Sequence, residues 1–206
     1  MSHEQAVFTI GHSTHSIDEF IDLLHLHGVN VVADVRSVPY SRIQPQFNRE
    51  SLSKALKAHY IIYVFLGKEL GARADDRTCY ENGRIQYRRL AQTEVFRAGL
   101  DRVRIGSKNH RIALMCAERE PLECHRTVLV SRELEAIGTH VLHIHADGHL
   151  ESHADAISRL LQLLGLFERD LFRSQSELIE EAYAKQEARI AYVDERLVSI
   201  PNEVEP

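Results

Sequence analysis

The sequence predicts an α/β fold in which helices flank a mainly parallel sheet of roughly five strands. Short apolar runs rich in β-branched residues alternate with amphipathic segments along the first 150 residues. Alternating strands and helices produce parallel strands with helices on both faces of the sheet. The length of 206 residues suits a single domain with an extension. We therefore expect an α/β core over residues 1–150 and a helical extension over residues 151–206.

The individual elements follow from the apolar runs and the helix-capping signals. The predicted strands are the five apolar runs 7–10, 29–35, 60–66, 112–115 and 141–144. Ser16 and Glu19 have the spacing of a capping box, so a helix is predicted from Ser16 to a stop at Gly28. Further helices are predicted after Asn48 or Ser51 and over about 93–105, 123–136, 154–166 and 168–193, with charged loop over 67–90.

Composition also restricts the location of the protein. No run of about 18 apolar residues is present, so we expect no transmembrane helix and no membrane partner. The first residues lack a basic segment followed by a long apolar run, so no secretory signal is expected. The three cysteines are too few, and odd in number, for a disulfide framework. The sequence thus predicts a cytoplasmic protein with reduced thiols.

The net charge of −5 is unevenly distributed along the chain. Residues 36–132 carry 19 basic and 10 acidic side chains, a balance of +9, between acidic segments of −5 (1–35) and −9 (133–206). A basic middle predicts a surface for an anionic or phosphorylated ligand or for nucleic acid, although solvated helix faces would give the same pattern. Aromatic and basic residues interleave between Tyr40 and Arg88, but no recognised nucleic-acid module is present.

The residues that follow each predicted strand are the candidate site. Ligands of open parallel sheets bind beyond the carboxyl ends of the strands, so these residues should converge. Five of them are candidate catalytic residues: Cys116, Glu118, Cys124, His125 and His12. Six more are candidate substrate-binding residues: Ser13, Asp34, Arg36, Asn48, Lys68 and Arg126. No residue is assigned to a metal, and no particular cofactor is predicted.

The chemistry of these residues is best defined around Cys124. A thiol near a helix N-terminus, beside His125 and Arg126, has the surroundings that favour a thiolate. Cys116 lies eight positions earlier, which is unlike a C-x-x-C pair, and neither cysteine has an arginine six positions on, as a C-x5-R phosphatase loop needs. The loop after Gly11 is not a dinucleotide-binding glycine motif, and no P-loop is present.

Structural roles compete with these functional ones. Cys116 could be a small buried hydrophobic residue, Cys124 an inert neighbour of a helix cap, and Asp34–Arg36 an ion pair that only stabilises the fold. His143 and His145 share a strand face, where exposed histidines are a simpler interpretation than metal binding.

Several segments in the same order resemble the domain of unknown function 488 family. They are Thr9–Ser13, Asp34–Pro39, Gln46–Asn48, Leu66–Gly71, Met115–Glu118 and Cys124–Arg126. The likeness covers about residues 7–147. It implies a compact α/β domain of bacterial-type cytosolic proteins, with these polar segments as the shared site, and it implies no reaction.

Three hypotheses of function remain open at this point. The first is an enzyme that acts on a nucleotide, nucleic acid or other phosphorylated substrate, with a cysteine as nucleophile or redox thiol. The second is a non-catalytic module that binds nucleic acid or another anion. The third is a metal-binding protein that uses Cys116, Cys124 and His12 or His125. The helices after residue 150 could cover their own sheet or pair with a second copy in a homodimer.

Overall fold

A computed structural model describes residues 6–166 and 173–198, and it confirms the α/β fold class. Its strands, numbered along the chain, are β1 (Val7–Gly11), β2 (Val31–Asp34), β3 (Ile62–Phe65), β4 (Tyr80–Glu81), β5 (Arg84–Ile85), β6 (Ile112–Cys116), β7 (Val141–Ile144) and β8 (Leu150–Ser152). The main sheet has the order β3-β2-β6-β1-β7-β8, whereas β4 and β5 pair separately. Five strands of the main sheet run parallel, as predicted. The sixth, β8, is an antiparallel edge strand that the sequence prediction lacked.

The helices cover both faces of this sheet. They are α1 (Ile17–Leu26), α2 (Arg49–Ala58), α3 (Gly67–Leu70), α4 (Tyr87–Ala91), α5 (Glu94–Gly106), α6 (Arg132–Ala136), α7 (His153–Leu163) and α8 (Gln175–Ile190). The capping box of α1 is confirmed, because the Ser16 side chain accepts from the backbone of Glu19 while the Glu19 carboxylate accepts from Ser16. Apolar residues of α1 and α2 fill one face of the sheet, and those of α5 to α8 fill the other.

Two predictions of local structure were wrong. The segment 67–90 is not a charged loop, because it contains α3, α4 and the β4–β5 ribbon. The predicted helix over 123–136 begins later: Pro121–Glu123 form a 3-10 turn, Cys124 is extended, and a π-helix over Arg126–Ser131 leads into α6. Cys124 is extended, with φ −136° and ψ 141°, so the backbone leaves the helical region between the turn and the π-helix and no continuous helix forms.

The C-terminal part is joined closely to the core. The expected boundary at residue 150 falls within β8, which pairs with β7. The predicted helix over 154–166 is α7, and that over 168–193 corresponds to α8, with residues 168–172 outside the described part. None of the helices in the described ranges is long and apolar enough to cross a membrane.

Strand order determines where the candidate residues meet. Strand β6 lies between β2 and β1, so the carboxyl ends of these three central strands are neighbours. Cys116 ends β6 beside Gly11 of β1, and Asp34 of β2 is in register with Met115. The chain therefore brings the residues after three strands to one point at the carboxyl edge of the sheet.

Candidate active site

Two thiols and one imidazole form the centre of the site. Cys116 is the last residue of β6, and the chain turns through Glu118 and returns at Cys124 and His125. Nδ1 of His125 lies 3.8 Å from Sγ of Cys116 and 3.8 Å from Sγ of Cys124. The two sulfurs and the ring nitrogen all lie within 4.8 Å of one another. All three cysteines of the chain are free thiols.

The side chain of Arg126 stabilises the turn between Cys116 and Cys124 by hydrogen bonds to its backbone. This side chain is fully buried, and its guanidinium donates to the backbone oxygens of Glu118 at 2.8 Å and Arg119 at 3.3 Å. Its Nε has no hydrogen-bond partner among the described residues. Backbone bonds from His12 to Cys116 and from Ser13 to Ala117 continue the β1–β6 pairing past the end of the strands. The turn is therefore fixed on both sides.

The orientation of His125 follows from its second ring nitrogen. Nε2 lies 3.2 Å from the backbone oxygen of Val35. A carbonyl can only accept, so Nε2 carries the proton and donates it. In the neutral ring Nδ1 is then a lone pair that faces both sulfurs, and in the imidazolium it is a donor to a thiolate.

The surroundings of Cys124 favour its ionised form. Burial opposes ionisation, but the hydrogen bond with Cys116 and the positive charges of Arg126 and His125 outweigh it, so the pKa of Cys124 lies well below its usual value. The backbone N–H of Arg126 also donates to Sγ of Cys124 at 3.4 Å. The bond with Cys124, together with burial, raises the pKa of Cys116 well above its usual value. One negative charge is thus shared by the two sulfurs and resides mainly on Cys124.

Two further groups respond to that charge. Burial works against the imidazolium of His125, yet the Cys124 thiolate raises the pKa of His125 above its ordinary value. Oε2 of Glu118 lies 3.0 Å from Sγ of Cys124. Desolvation and the negative charge of Cys124 raise the pKa of Glu118. These directions describe a thiolate–imidazolium pair with a carboxyl group beside it.

Asp34 and Arg36 form a second unit next to the thiols. The guanidinium of Arg36 binds both oxygens of the buried Asp34 carboxylate, at 2.9 and 2.7 Å, and also donates to the backbone oxygen of Phe47 at 2.8 Å. The hydroxyl of Tyr63 donates to Asp34 at 2.8 Å. Such a bidentate pair holds the guanidinium rigidly. The ion pair that the sequence left as one alternative is therefore present, with Arg36 at the edge of the site.

His12 is part of this second unit rather than of the thiol centre. Nε2 of His12 lies 3.2 Å from Nη1 of Arg36, and its ring stacks on Phe47 with 4.3 Å between centroids. Burial and the charge of Arg36 lower the pKa of His12 to about 4. The ring is therefore neutral near pH 7, with Nε2 accepting from Arg36 and Nδ1 donating to the backbone oxygen of Ser13.

A cavity of about 310 Å³ opens onto the thiols. It is lined by the sulfur-bearing centre and by side chains from four other segments: Arg36, Ser37, Val38, Ala72, Arg73, Tyr87, Cys116, Ala117, Glu118, Glu123, Cys124, His125, Ile190 and Tyr192. The guanidinium of Arg73 lies 4.3 Å from the ring centre of Tyr192 at the exposed side. The cavity thus combines two arginines, two tyrosines and two thiols.

The candidate residues from the sequence fall into three groups. Cys116, Glu118, Cys124, His125 and Arg36 line the cavity. Asp34, His12 and Arg126 lie behind it and hold those residues in place.

The last three candidates contribute little to the cavity. Ser13 takes a positive φ in the loop after β1, and Asn48 accepts from the backbone N–H of Ser41 at 2.6 Å. Lys68 is exposed on α3 and does not line the cavity. The ligand-binding roles of these three residues stay predictions.

Sequence reasoning missed the far wall of the cavity. Arg73 follows α3, Tyr87 begins α4, and Ile190 and Tyr192 lie at the end of α8. Tyr87 belongs to the aromatic and basic stretch in the middle of the chain, which was the one available signal. Arg73 reaches the site from the loop after α3, and Ile190 and Tyr192 come to it only through packing of the C-terminal helix on the core.

The comparisons with known proteins identify a family. The model of the family described as "Domain of unknown function DUF488" matches residues 16–132. This range is 117 of the 206 residues, more than half of the chain, so the chain belongs to the DUF488 family. No curated protein and no solved structure matches the chain. The matched range includes Cys116, Glu118, Cys124 and His125 but ends before α7 and α8.

Proposed function

We propose that this member of the DUF488 family is an enzyme in which the Cys124 thiolate attacks a small phosphorylated substrate, a nucleotide among the candidates. The observation that carries the proposal is the position of Cys124. Its sulfur faces a second thiol, an imidazole and a backbone N–H at a cavity that also contains Arg36. Activated cysteine nucleophiles are found in such electropositive surroundings.

Each group has a role in the proposed reaction. Arg36, held by Asp34, and Arg73 bind the anionic group of the substrate. The Cys124 sulfur then forms a bond to the electrophilic phosphorus or carbon, and the bond to the leaving group breaks. His125 gives its Nδ1 proton to the leaving group. A water beside Glu118 then attacks the covalent intermediate and gives a proton back to Nδ1 of His125, which restores the thiolate–imidazolium pair.

The size of the cavity favours a small ligand over a polymer. Its volume of about 310 Å³ is at the lower end of the range for small-molecule sites. A nucleotide or a sugar phosphate has a suitable size, whereas a nucleic-acid duplex would contact only the rim. Acidic side chains, Glu118 and Glu123, share that rim with Arg73, which also disfavours the non-catalytic polyanion-binding alternative.

Alkylation with two reagents of different charge tests the nucleophile and the anion site together. Reduced, chelator-treated protein is reacted with iodoacetate or iodoacetamide, and modification of each cysteine is followed by peptide mass spectrometry. We expect Cys124 to react first, and the ratio of iodoacetate to iodoacetamide rates to exceed that of a free cysteine peptide, because Arg36 and Arg73 attract the anion. Inorganic phosphate should slow the reaction of both reagents by competing for the cavity.

Matched variants make the test specific. Arg73→Gln should lower the ratio of the iodoacetate rate to the iodoacetamide rate several-fold. Arg88 is exposed and lies outside the cavity, so Arg88→Gln should leave this ratio unchanged. Cys124→Ser should remove the fast phase, and Cys79→Ser should not. If Cys124 reacts no faster than Cys79, or if the rate ratio equals that of the free peptide and phosphate slows neither reagent, the proposed enzyme mechanism is wrong.

A further inference from the structure

We propose that Cys116, Cys124 and His125 also form a binding site for a soft divalent metal ion, Zn²⁺, and that the bound ion silences the Cys124 nucleophile. Only the silencing rests on the proposed function; the metal site stands on the geometry of its three ligands. Cys₂His is a donor set that zinc sites in proteins use.

The spacing of the three donor atoms is close to that of a zinc site. With Zn–S bonds of about 2.3 Å, Zn–N bonds of about 2.1 Å and tetrahedral angles, sulfur and nitrogen ligands stand about 3.6 Å apart. Nδ1 of His125 lies 3.8 Å from each of the two sulfurs. Shifts of a few tenths of an ångström would bring the nitrogen to each sulfur, and the two sulfurs, which lie within 4.8 Å of each other, would need to stand about 3.8 Å apart.

The second ring nitrogen of His125 is used as it is in metal-binding histidines. Nε2 donates to the backbone oxygen of Val35 at 3.2 Å, so in the neutral ring the lone pair on Nδ1 points at the sulfurs. Metal-ligating histidines characteristically donate their other N–H to a carbonyl or carboxylate, which fixes the ring. The backbone N–H of Arg126 supports the Cys124 sulfur in the same way, at 3.4 Å.

Charge gives an independent reason for a cation at this point. The two buried sulfurs lie within 4.8 Å of each other, so two thiolates without a cation between them would repel each other strongly. A divalent ion compensates two thiolates, so both can ionise at once. The Glu118 carboxylate lies 3.0 Å from the Cys124 sulfur but is not among the donor atoms within 4.8 Å of one another, so the three ligands leave a fourth position for water.

The donor types determine which metal is favoured. Mg²⁺ and Ca²⁺ need several oxygen ligands, and Glu118 is the only carboxylate in contact with the sulfurs among the described residues. Two sulfurs and an imidazole instead favour Zn²⁺. A bound ion occupies the lone pairs that the nucleophile would use, so Zn²⁺ and a covalently reacting substrate exclude each other.

The test is a metal titration of the full chain, reduced and stripped with a chelator that is then removed. Zn²⁺ is titrated in competition with a chromophoric chelator, and Co²⁺ is added separately to look for the strong visible absorption of a tetrahedral thiolate site. We expect one equivalent bound. Cys116→Ser, Cys124→Ser and His125→Asn should each weaken binding by at least about 100-fold, since they remove a direct ligand. Cys79→Ser, at a buried thiol elsewhere in the fold, should bind as the wild type does.

A second measurement needs no variant that could fail to fold. In the wild type, one equivalent of Zn²⁺ should protect Cys116 and Cys124 from iodoacetamide, and a chelator should restore their reactivity. Absence of stoichiometric binding, or binding that survives all three ligand substitutions, would overturn the metal site. Alkylation in the absence of zinc tests the proposed nucleophile separately, so a zinc site with an unreactive Cys124 would leave the metal inference intact and remove only the silencing.

Discussion

At the scale of single residues, the thiol site depends on how closely the backbone packs behind it. Gly11 ends β1 directly against the turn that carries Glu118. A Cβ placed on Gly11 would lie 1.9 Å from the backbone oxygen of Glu118 and 3.2 Å from Nη2 of Arg126. The first contact is with backbone, which cannot rotate away. Only glycine lets β1 and the turn approach this closely.

We therefore expect Gly11→Ala to damage both stability and the site. Overpacking of this kind costs about 1–3 kcal/mol, and contact with backbone puts the change at the upper end. The turn must move, so Glu118 and Cys124 should separate and alkylation of Cys124 should slow. Urea unfolding and the iodoacetamide rate measure the two effects. Gly106→Ala is the matched control, since its Cβ would meet only the end of the Ile112 side chain at 3.0 Å. Equal behaviour of the two variants would contradict this account of Gly11.

At the scale of elements, the strands were predictable and the connections were not. The buried strands β1, β2 and β6 are continuous apolar runs, which is the pattern of a parallel sheet. The short elements α3 and α4 are only four and five residues long, so tertiary contacts rather than local propensity stabilise them. The π-helix after His125 also has no signature in the sequence, although it determines where Cys124 lies.

The end of α8 is the element that ties the C-terminal part to the site. Gln186 is buried on α8, and its Nε2 donates at 2.7 Å to the backbone oxygen of Leu122, two residues before Cys124. Ile190 and Tyr192, just beyond it, line the cavity. The extension is therefore part of the wall around the thiols, which sequence patterns could not reveal because no local signal links residues 122 and 186.

Gln186→Leu should loosen this connection. The substitution preserves size but leaves the Leu122 carbonyl buried without its donor, a cost of about 1–3 kcal/mol. We expect a lower free energy of unfolding, and faster amide hydrogen exchange in residues 121–126 and in α8. Glu181→Gln on the same helix is the control, because its ion pairs with Arg173 and Lys185 are partly exposed and worth at most about 1 kcal/mol. If amide hydrogen exchange became faster only in α8 and stayed unchanged in residues 121–126, the proposed connection between Gln186 and the thiol site would be wrong.

At the scale of the whole molecule, the site was predicted because the carboxyl ends of parallel strands lie at one edge of the sheet. The order of the strands, which the sequence does not show, determines which of these ends are neighbours. A parallel sheet is enough to predict that the residues after β1, β2 and β6 lie close together. This rule placed Cys116, His125 and Arg36 in the same candidate site. The insertion of β6 between β2 and β1 is a property of the three-dimensional fold. So is the contribution of Arg73 and Tyr192, which reach the cavity from a loop and from the far end of the chain. Long-range packing of this kind leaves no periodicity in the sequence.

A second buried polar system crosses the molecule from the sheet to α8. Thr9 Oγ1 lies 2.8 Å from His143 Nδ1, His143 Nε2 lies 3.2 Å from His153 Nδ1, and His153 Nε2 lies 2.8 Å from the Tyr183 hydroxyl. All four residues are buried. The expectation that the histidines of the last strands are merely exposed was therefore wrong for His143, which lies in the core. The chain of bonds needs neutral rings, because two imidazolium ions would set two donors face to face.

This system predicts a loss of stability in mild acid. Burial and the charge of Arg132, opposed only by Glu151, lower the pKa of His153 from 6.5 to about 4. Burial, His153 and nearby cationic groups, including Arg126 and Arg159, lower the pKa of His143. Because the unfolded chain binds these protons at higher pH than the folded chain, the free energy of unfolding falls as pH decreases from about 6.5 towards 4, by about 3 kcal/mol for His153 alone.

Urea unfolding at intervals between pH 7.5 and about 5 measures the upper part of this fall, and the lower limit keeps most carboxylates ionised. We expect the slope of stability against pH to be shallower in His153→Gln than in the wild type, because one group with a lowered pKa is gone while Gln can still bond to Tyr183. The control is His59→Gln. His59 is exposed and follows α2, which packs on the other face of the sheet from α7 and α8, so this variant should keep the wild-type slope. His12, whose pKa is also about 4, contributes to the slope in all three proteins and cancels in the comparison. Superimposable slopes for His153→Gln and the wild type would show that the buried chain of histidines does not control stability in acid.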